Sequence, residues 1–206
     1  MSEDHYFSAQ PASADERRTI SVSLAGRELE LETAGGVFSP GHVDLGTQVL
    51  LRTVPEPRGR VLDLGCGWGP LALTAALRAP DAVVTAVDVN QRALDLLRRN
   101  VARVGARHPL APIEAVAADE VDPHARYDTI WSNPPIRVGK DALHALLRTW
   151  LPRLAPGGEA YLVIQKNLGA DSLAKWLSAQ APDAGWGAVE KIASAKGFRV
   201  LRVDAA

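Results

Sequence analysis

Hydrophobic and polar positions alternate first near the start of the chain: Ile20, Val22 and Leu24 precede Ala25-Gly26-Arg27, and Leu29 and Leu31 follow it. Period-two alternation about a glycine turn predicts a β-hairpin. The irregular, glycine-rich stretch GVFSPGHVDLGT comes next, and a helix is expected to start near Asp44 or Gly46 and run to Thr53. From Arg60 onward the pattern changes. Short continuous apolar runs, as in strands buried on both faces, alternate with longer runs of helix formers. Strands are predicted at Val61–Leu64, Val83–Val89, Ile113–Ala118, Tyr127–Trp131 and Ala160–Ile164. Helices are predicted at Leu71–Leu77, Gln91–Val104, Asp141–Leu154 and Asp171–Ala179, with Ala155-Pro156-Gly157-Gly158 breaking the third. Two last strands, Ala188–Ser194 and Phe198–Val203, lie too close for a helical crossover and must pair antiparallel, as a hairpin at the sheet edge.

The expected class is therefore α/β: a mostly parallel, Rossmann-like sheet covered by helices on both faces, with an N-terminal β-hairpin added. Residues 1–18, polar and rich in Ala, Ser and Pro, read as an arm, and 19–206 as the folded domain. Within it, 19–54 supply the hairpin and first helix and 55–206 the core. His5, Tyr6 and Phe7 stand out in the arm, either as an anchor packing on the domain or as a lid over a ligand.

Composition narrows the partners only a little. A chain of 206 residues with 47% hydrophobic content can bury a full core. Its formal net charge of −1 exerts no global pull toward nucleic acid or membrane, so any RNA-binding surface has to be a local patch. The single cysteine, Cys66, excludes an intrachain disulfide, and with no His close in sequence to activate it, it reads as a small filler. The polar, acidic N-terminus is unlike a signal or transit peptide, and no stretch approaches the ~20 apolar residues of a membrane span. No membrane or metal is expected to be involved, and the expected location is cytoplasmic.

Candidate chemistry collects at the strand ends. The stretch RVLDLGCGWG, from Arg60 to Gly69, is a strand followed at once by glycines at alternate positions, Gly65, Gly67 and Gly69, and then by a helix. That is the first half of a nucleotide-binding βαβ unit. The spacing is GxGxG, with Pro70 where a dinucleotide fingerprint has its third glycine, which disfavours NAD and FAD. Asp63, Asp88 and Asp119 fall at the carboxyl ends of successive strands, the edge where open α/β sheets bind ligands. Each singly could be a turn or cap residue. Together with the glycine loop they place a carboxylate beside the amino-acid portion of a ligand (Asp63), on its ribose (Asp88, with Val89 beside it) and near an adenine amino group (Asp119). Asn133-Pro134-Pro135-Ile136 ends the fourth strand. The prolines fix the backbone and remove neighbouring donors. The Asn133 side-chain oxygen and the Pro134 carbonyl are two acceptors that can hold both hydrogens of an exocyclic –NH2 and turn its lone pair toward an electrophile.

With these motifs the chain resembles the class I S-adenosylmethionine-dependent methyltransferases. More closely, it resembles the single-domain branch of the small methyltransferase group, whose named members are ribosomal RNA guanine-N2 methyltransferases. The stretches that carry the resemblance are GVFSPGHVDLGT, DLGCGWG, SNPPIRVGK followed by His144, LAPGGEAYLVIQKNLGADSLAKWL and KGFRVLR. The resemblance implies a seven-stranded sheet with its last strand antiparallel and S-adenosylmethionine as cofactor. Asp63, Gly65 and Gly67 would line the cofactor's methionine end, Asp88 would bind ribose, and Ala118 and Asp119 would flank adenine. It also suggests that Phe38, Asp44 and Thr47 approach from the N-terminal loop. Two departures concern the acceptor. Larger bacterial relatives carry a further N-terminal domain that helps bind RNA, and many place an aromatic where this chain has Ile136. Stacking would then come from Trp68, Phe7 or Phe38, or be replaced by aliphatic contact. Arg137, Lys140, His144 and Arg148 either hold substrate phosphates or form a solvated face.

The expected function is N-methylation of a nucleobase exocyclic amine, guanine N2 of ribosomal RNA first and adenine second. One alternative keeps the cofactor and methylates a protein glutamine or a small-molecule amine. The other is a non-catalytic RNA-binding or assembly module.

Overall fold

The computed structural model describes residues 16–206, so the His5-Tyr6-Phe7 cluster, and with it the choice between anchor and lid, lies outside the described residues. β1 (Arg18–Leu24) and β2 (Arg27–Thr33) form the hairpin, with Leu24 opposite Arg27 across Ala25-Gly26. Both turn residues have positive φ, 51° and 72°, the two-residue turn whose twist matches that of its strands. α1 (Leu45–Thr53) follows. The body then alternates β3 (Arg60–Leu64), α2 (Pro70–Arg78), β4 (Val83–Val87), α3 (Gln91–Gly105), β5 (Ile113–Val116), β6 (Tyr127–Ser132), α4 (Lys140–Trp150), β7 (Leu154–Gln165) and α5 (Ala170–Ala184). β8 (Trp186–Ala195) and β9 (Phe198–Ala205) complete it.

The seven body strands form one sheet in the order β5-β4-β3-β6-β7-β9-β8. β3 to β7 pair parallel, and β9 runs antiparallel to both its neighbours. The strand order reverses between β3 and β6. The crevice at that switch point is where an open α/β sheet holds its ligand. Because β9 is inverted, its first residue, Phe198, lies at the same edge as the last residues of the parallel strands; its partner there is Gln165.

Alternate residues of each strand feed two cores. Val61, Trp131, Tyr161 and Val200 join the hairpin, α1, α2 and α3 on one face; Leu62, Ile130, Leu162 and Leu201 join α4 and α5 on the other. The hairpin contributes Val22, Leu24, Leu29 and Leu31 to the first core. A buried Asn100 latches it there: its Nδ2 donates to the carbonyls of Glu32 (2.9 Å) and Trp68 (3.0 Å), and its Oδ1 accepts from Glu32 N–H (2.7 Å).

Several element ends differ from expectation. β5 stops at Val116, before Ala118. α4 gives way to a 3-10 turn at Leu151–Arg153, where Pro152 supplies no N–H to continue the helix. Ala155-Pro156-Gly157-Gly158 is not a gap before the next strand but a bulge within β7, since Tyr127 faces Leu154 and Thr129 faces Glu159. A Cβ on Gly158 would lie 2.8 Å from the Tyr127 carbonyl oxygen, so glycine permits that crossing. α5 runs on past Ala179 to Ala184, where left-handed Gly185 ends it. The arginines of α3 bind it to its neighbours. Arg92 donates to the Gly35 carbonyl (2.8 Å), Arg98 to the Ala115 carbonyl (2.6 Å), and Arg103 pairs with Glu32 (2.7 Å), tying α3 to the hairpin and to β5.

Candidate active site

The glycine turn after β3 is an open cradle. Gly65 and Gly67 have φ of 79° and 54°, and a Cβ on either would meet nothing within 4 Å. Only glycine takes that conformation cheaply, and the open side lets a ligand lie against the backbone. The Gly65 and Cys66 N–H groups donate to the Val87 carbonyl (2.8 and 3.0 Å). The Gly67 N–H donates to Asp88 Oδ2 (2.8 Å), and the Asn90 N–H to Asp88 Oδ1 (2.9 Å). Asp88 therefore staples the glycine turn to the end of β4, and each of its oxygens keeps a lone pair for a further donor. Burial raises its carboxyl above the usual carboxylate range. Pro70 opens α2, at a position that needs no N–H.

Behind the turn, Asp63 is fully enclosed. Its Oδ2 accepts from Ala72 N–H (2.8 Å), while its buried Oδ1 has no hydrogen-bond partner among the described residues. Burial pushes its carboxyl up to about 8, against the pull of the Ala72 hydrogen bond and with a further push from the Asp88 charge. A buried, orphaned carboxylate oxygen beneath an open glycine cradle fits a ligand that carries an ammonium group. Burial likewise pushes the Cys66 thiol well up, consistent with a filler rather than a nucleophile.

The second cluster forms where β6 meets α1. Asn133 Nδ2 donates to Asp44 Oδ2 (2.9 Å) and to Thr47 Oγ1 (3.1 Å). Asp44 caps α1, and the same oxygen accepts from the N–H groups of Gly46 (2.8 Å) and Thr47 (3.2 Å). With both amide hydrogens of Asn133 committed, its Oδ1 is the outward atom, and it accepts no bond among the described residues. Pro134 is buried next to it.

Both clusters open onto one cavity of about 400 Å³, within the range of small-molecule sites. On one side it takes in Phe38, Gly65, Gly67, Asp88, Val89 and Ala118; on the other Asp44, Asn133, Pro134, Pro135, Ile136 and Arg137. Thr47 lines a small adjoining pocket of about 30 Å³ together with Asp44 and Asn133. Asp63, enclosed behind the turn, is outside the lining, as are the exposed Asp119 and Lys140. His144 and Arg148 do not face the cavity. His144 stacks on Trp176 (centroids 3.6 Å apart), and Arg148 lies over the same ring at 5.2 Å, so both serve the packing of α4 on α5. Burial, then the charges of Lys140 and Arg148, lowers the His144 pKa.

Trp68 is 1% exposed, with its Nε1–H held by the carbonyls of Phe38 and Ser39 (3.2 Å each), so it cannot stack on a substrate. Phe38, 37% exposed, remains at the cavity. Several lining residues escaped the sequence reading, among them the polar Asn90 and Gln165 and the aromatic Trp150 and Phe198. Asn90 carried a signal, a helix-capping residue just after Asp88. Its Oδ1 caps α3, and its Nδ2 holds the Gly36 carbonyl (2.8 Å).

Comparison with known proteins accords with this geometry. The family model for the methyltransferase small domain matches residues 28–202. The Bacillus subtilis protein YbxB, itself uncharacterized, is 34% identical over 171 residues, covering 82% of this chain and 85% of its own. Ribosomal RNA small subunit methyltransferase C of Vibrio vulnificus is 36% identical over 138 residues, covering 67% of this chain but 39% of the relative. Among solved structures, the T. thermophilus 16S rRNA N2 methyltransferase RsmC, in complex with AdoMet and guanosine, superposes with a TM-score of 0.76 at 28% identity. That match covers 95% of this chain and 52% of RsmC, so the chain spans about half the length of that relative. An open glycine cradle with an unpaired carboxyl oxygen beneath it, a clamped Asn133 amide beside it, and a family match over nearly the whole length agree: the chain belongs to the methyltransferase small domain family, class I enzymes that use S-adenosylmethionine.

Proposed function

We propose that this chain transfers the methyl group of S-adenosylmethionine to the exocyclic amine of a nucleobase, with guanine N2 of ribosomal RNA as the acceptor. The observation that carries this reading is the fixed Asn133 amide, whose hydrogens are taken by Asp44 and Thr47 so that its oxygen is left to accept. The names of the methyltransferase C relatives and of the T. thermophilus complex with guanosine support the choice of acceptor. Asp63, Gly65 and Gly67 would hold the methionine end of the cofactor, Asp88 with Val89 the ribose, and Ala118 with Asp119 the adenine. Phe38 and Asp44 would close the cofactor side from the loop before α1, and Thr47, on the first turn of α1, would hold Asn133.

When bound, the cofactor supplies an electrophilic methyl group on a sulfonium. Asn133 Oδ1 and the Pro134 carbonyl accept the two hydrogens of the target amine, which turns its lone pair out of conjugation and toward that methyl. Pro134 and Pro135 hold the backbone, and the Asp44–Thr47 clamp holds the side chain, so little reorganisation remains for the reacting complex. The Asp44 carboxylate stands beside Asn133, where positive charge passes to nitrogen. Once alkylated, the nitrogen loses a proton without needing a strong base. Arg137 and Lys140, just past the acceptor pair, would hold phosphates of a flipped nucleotide.

Asn133→Ala tests the assignment. Turnover is expected to fall on the order of 100- to 1,000-fold, the scale for losing one preorganised polar contact to the reacting group. Cofactor affinity by calorimetry should stay within about twofold of wild type. An equal loss of both contradicts the role. Incorporation of labelled methyl into lysate fractions, with and without ribonuclease, separates RNA from protein glutamine and small amines as acceptor.

A further inference from the structure

Beyond Asn133 the cavity continues over the ends of β7 and β9, a half that the cofactor cradle does not use. Two strand spacings separate β3 from β7, about 10 Å, enough for a second flat molecule beside the first. Phe198 and Ile136 are two of the side chains that wall this half, with Leu146, Trp150 and Leu168 also in its lining. Phe198 opens β9 and packs with the core beneath the hairpin and α1 to α3, whereas Ile136 packs with the core beneath α4 and α5. Those cores lie on opposite faces of the sheet, so the two residues reach the cavity from opposite sides. The Phe198 ring is held in place: a Cβ on Gly46 would meet its Cε1 at 2.8 Å and Asp44 Oδ2 at 2.9 Å. The ring thus lies against the same first turn of α1 that clamps Asn133. Gln165, the β-partner of Phe198, stands exposed at the rim with its carboxamide.

We propose that this half is the acceptor slot and that Phe198 is its stacking face. A purine enters between Phe198 and Ile136 with its exocyclic amine toward Asn133, and the Gln165 carboxamide meets the adjacent N–H and carbonyl edge of a guanine. The inference rests on the nucleobase N-methyltransferase reading and supplies the aromatic surface that Ile136 does not provide. A carboxamide offers one acceptor and two donors, which match the N1–H and O6 of guanine as a pair. Adenine, with no N–H on its ring edge, cannot make that pair.

The test uses 2-aminopurine riboside, a fluorescent purine with its amine at the ring position of the guanine amine. It is titrated into chain loaded with S-adenosylhomocysteine. Phe198→Leu should bind it about 5- to 150-fold more weakly, the range for losing an aromatic–base stack. Phe198→Tyr should stay near wild type, and cofactor affinity should be unchanged in both. With an RNA substrate, Phe198→Leu should raise KM far more than it lowers kcat. Unchanged probe affinity and KM in Phe198→Leu overturn the slot assignment and leave the methyltransferase reading standing. Loss of cofactor affinity in step with probe affinity assigns Phe198 to the fold and also overturns it. A wild-type chain that binds cofactor yet places no methyl in RNA removes the functional reading, and the slot with it.

Discussion

Asp63→Asn isolates the proton that the glycine cradle exchanges with its ligand. With its carboxyl pushed up to about 8, Asp63 is mostly protonated in the ligand-free chain at pH 6.5. An ammonium group held over the glycine cradle, in front of the buried Asp63, favours its charged form, so binding should release a proton. Affinity should then rise about tenfold per pH unit, roughly 30-fold from pH 5.5 to 7. The window closes above pH 7, where an α-amino group itself begins to titrate at about 8. Calorimetry at pH 6.5 in phosphate and in imidazole, buffers of different ionisation heat, counts the protons directly. Asp63→Asn should show a flat pH response and no proton release from this position. A wild-type chain with no proton release and constant affinity from pH 5.5 to 7 would refute the reasoning. The same shift has a consequence for stability. The unfolded chain loses this proton near 3.8 and the folded chain near 8, so the folded state binds more protons in between. The stabilisation is complete below about pH 4 and declines as pH rises toward 8, so ligand-free wild type should lose ground to Asp63→Asn over that window in thermal melts, by up to about 1.4 kcal/mol per unit.

Thr47→Val removes one of the two bonds that orient Asn133 and leaves the Asp44 bond in place. At about 1 kcal/mol for a lost neutral hydrogen bond, kcat should fall roughly fivefold with cofactor affinity unchanged. An equal weakening of cofactor binding in calorimetry would assign Thr47 to the cofactor instead. Asn100→Leu leaves the Glu32 and Trp68 backbone groups unpaired at the hairpin. Urea denaturation should show a loss of several kcal/mol, at about 1–3 kcal/mol per orphaned buried group. A change below ~0.5 kcal/mol would show that the hairpin is held by its apolar contacts alone.

Much of this architecture is legible in local pattern. The hairpin follows from alternation about Ala25-Gly26, and the parallel sheet from buried runs alternating with helices, because those signals lie within one element. The same holds for the glycine turn and for Asn133-Pro134-Pro135. What stayed illegible depends on contacts between distant segments. Asn133 and Asp44 are far apart in sequence, and only the packing of the α1 N-terminus against the end of β6 makes the clamp. The antiparallel last strand is legible, but that its first residue, Phe198, lies in the cavity lining follows only from its pairing with Gln165 at the end of β7. His144 and Arg148 looked like part of a basic patch beside the acceptor loop, yet Trp176 on α5 draws them away from the cavity. Trp68, beside two flexible glycines, read as a free aromatic, but the loop before α1 folds over it and engages its indole N–H.

Nucleoside mass spectrometry of ribosomal RNA, incubated with S-adenosylmethionine and either the wild-type chain or Asn133→Ala, tests the central claim most directly. The account predicts N2-methylguanosine with the wild type and only traces with the variant. Equal yields from both, or a methylated nucleoside with its guanine amine untouched, would contradict it.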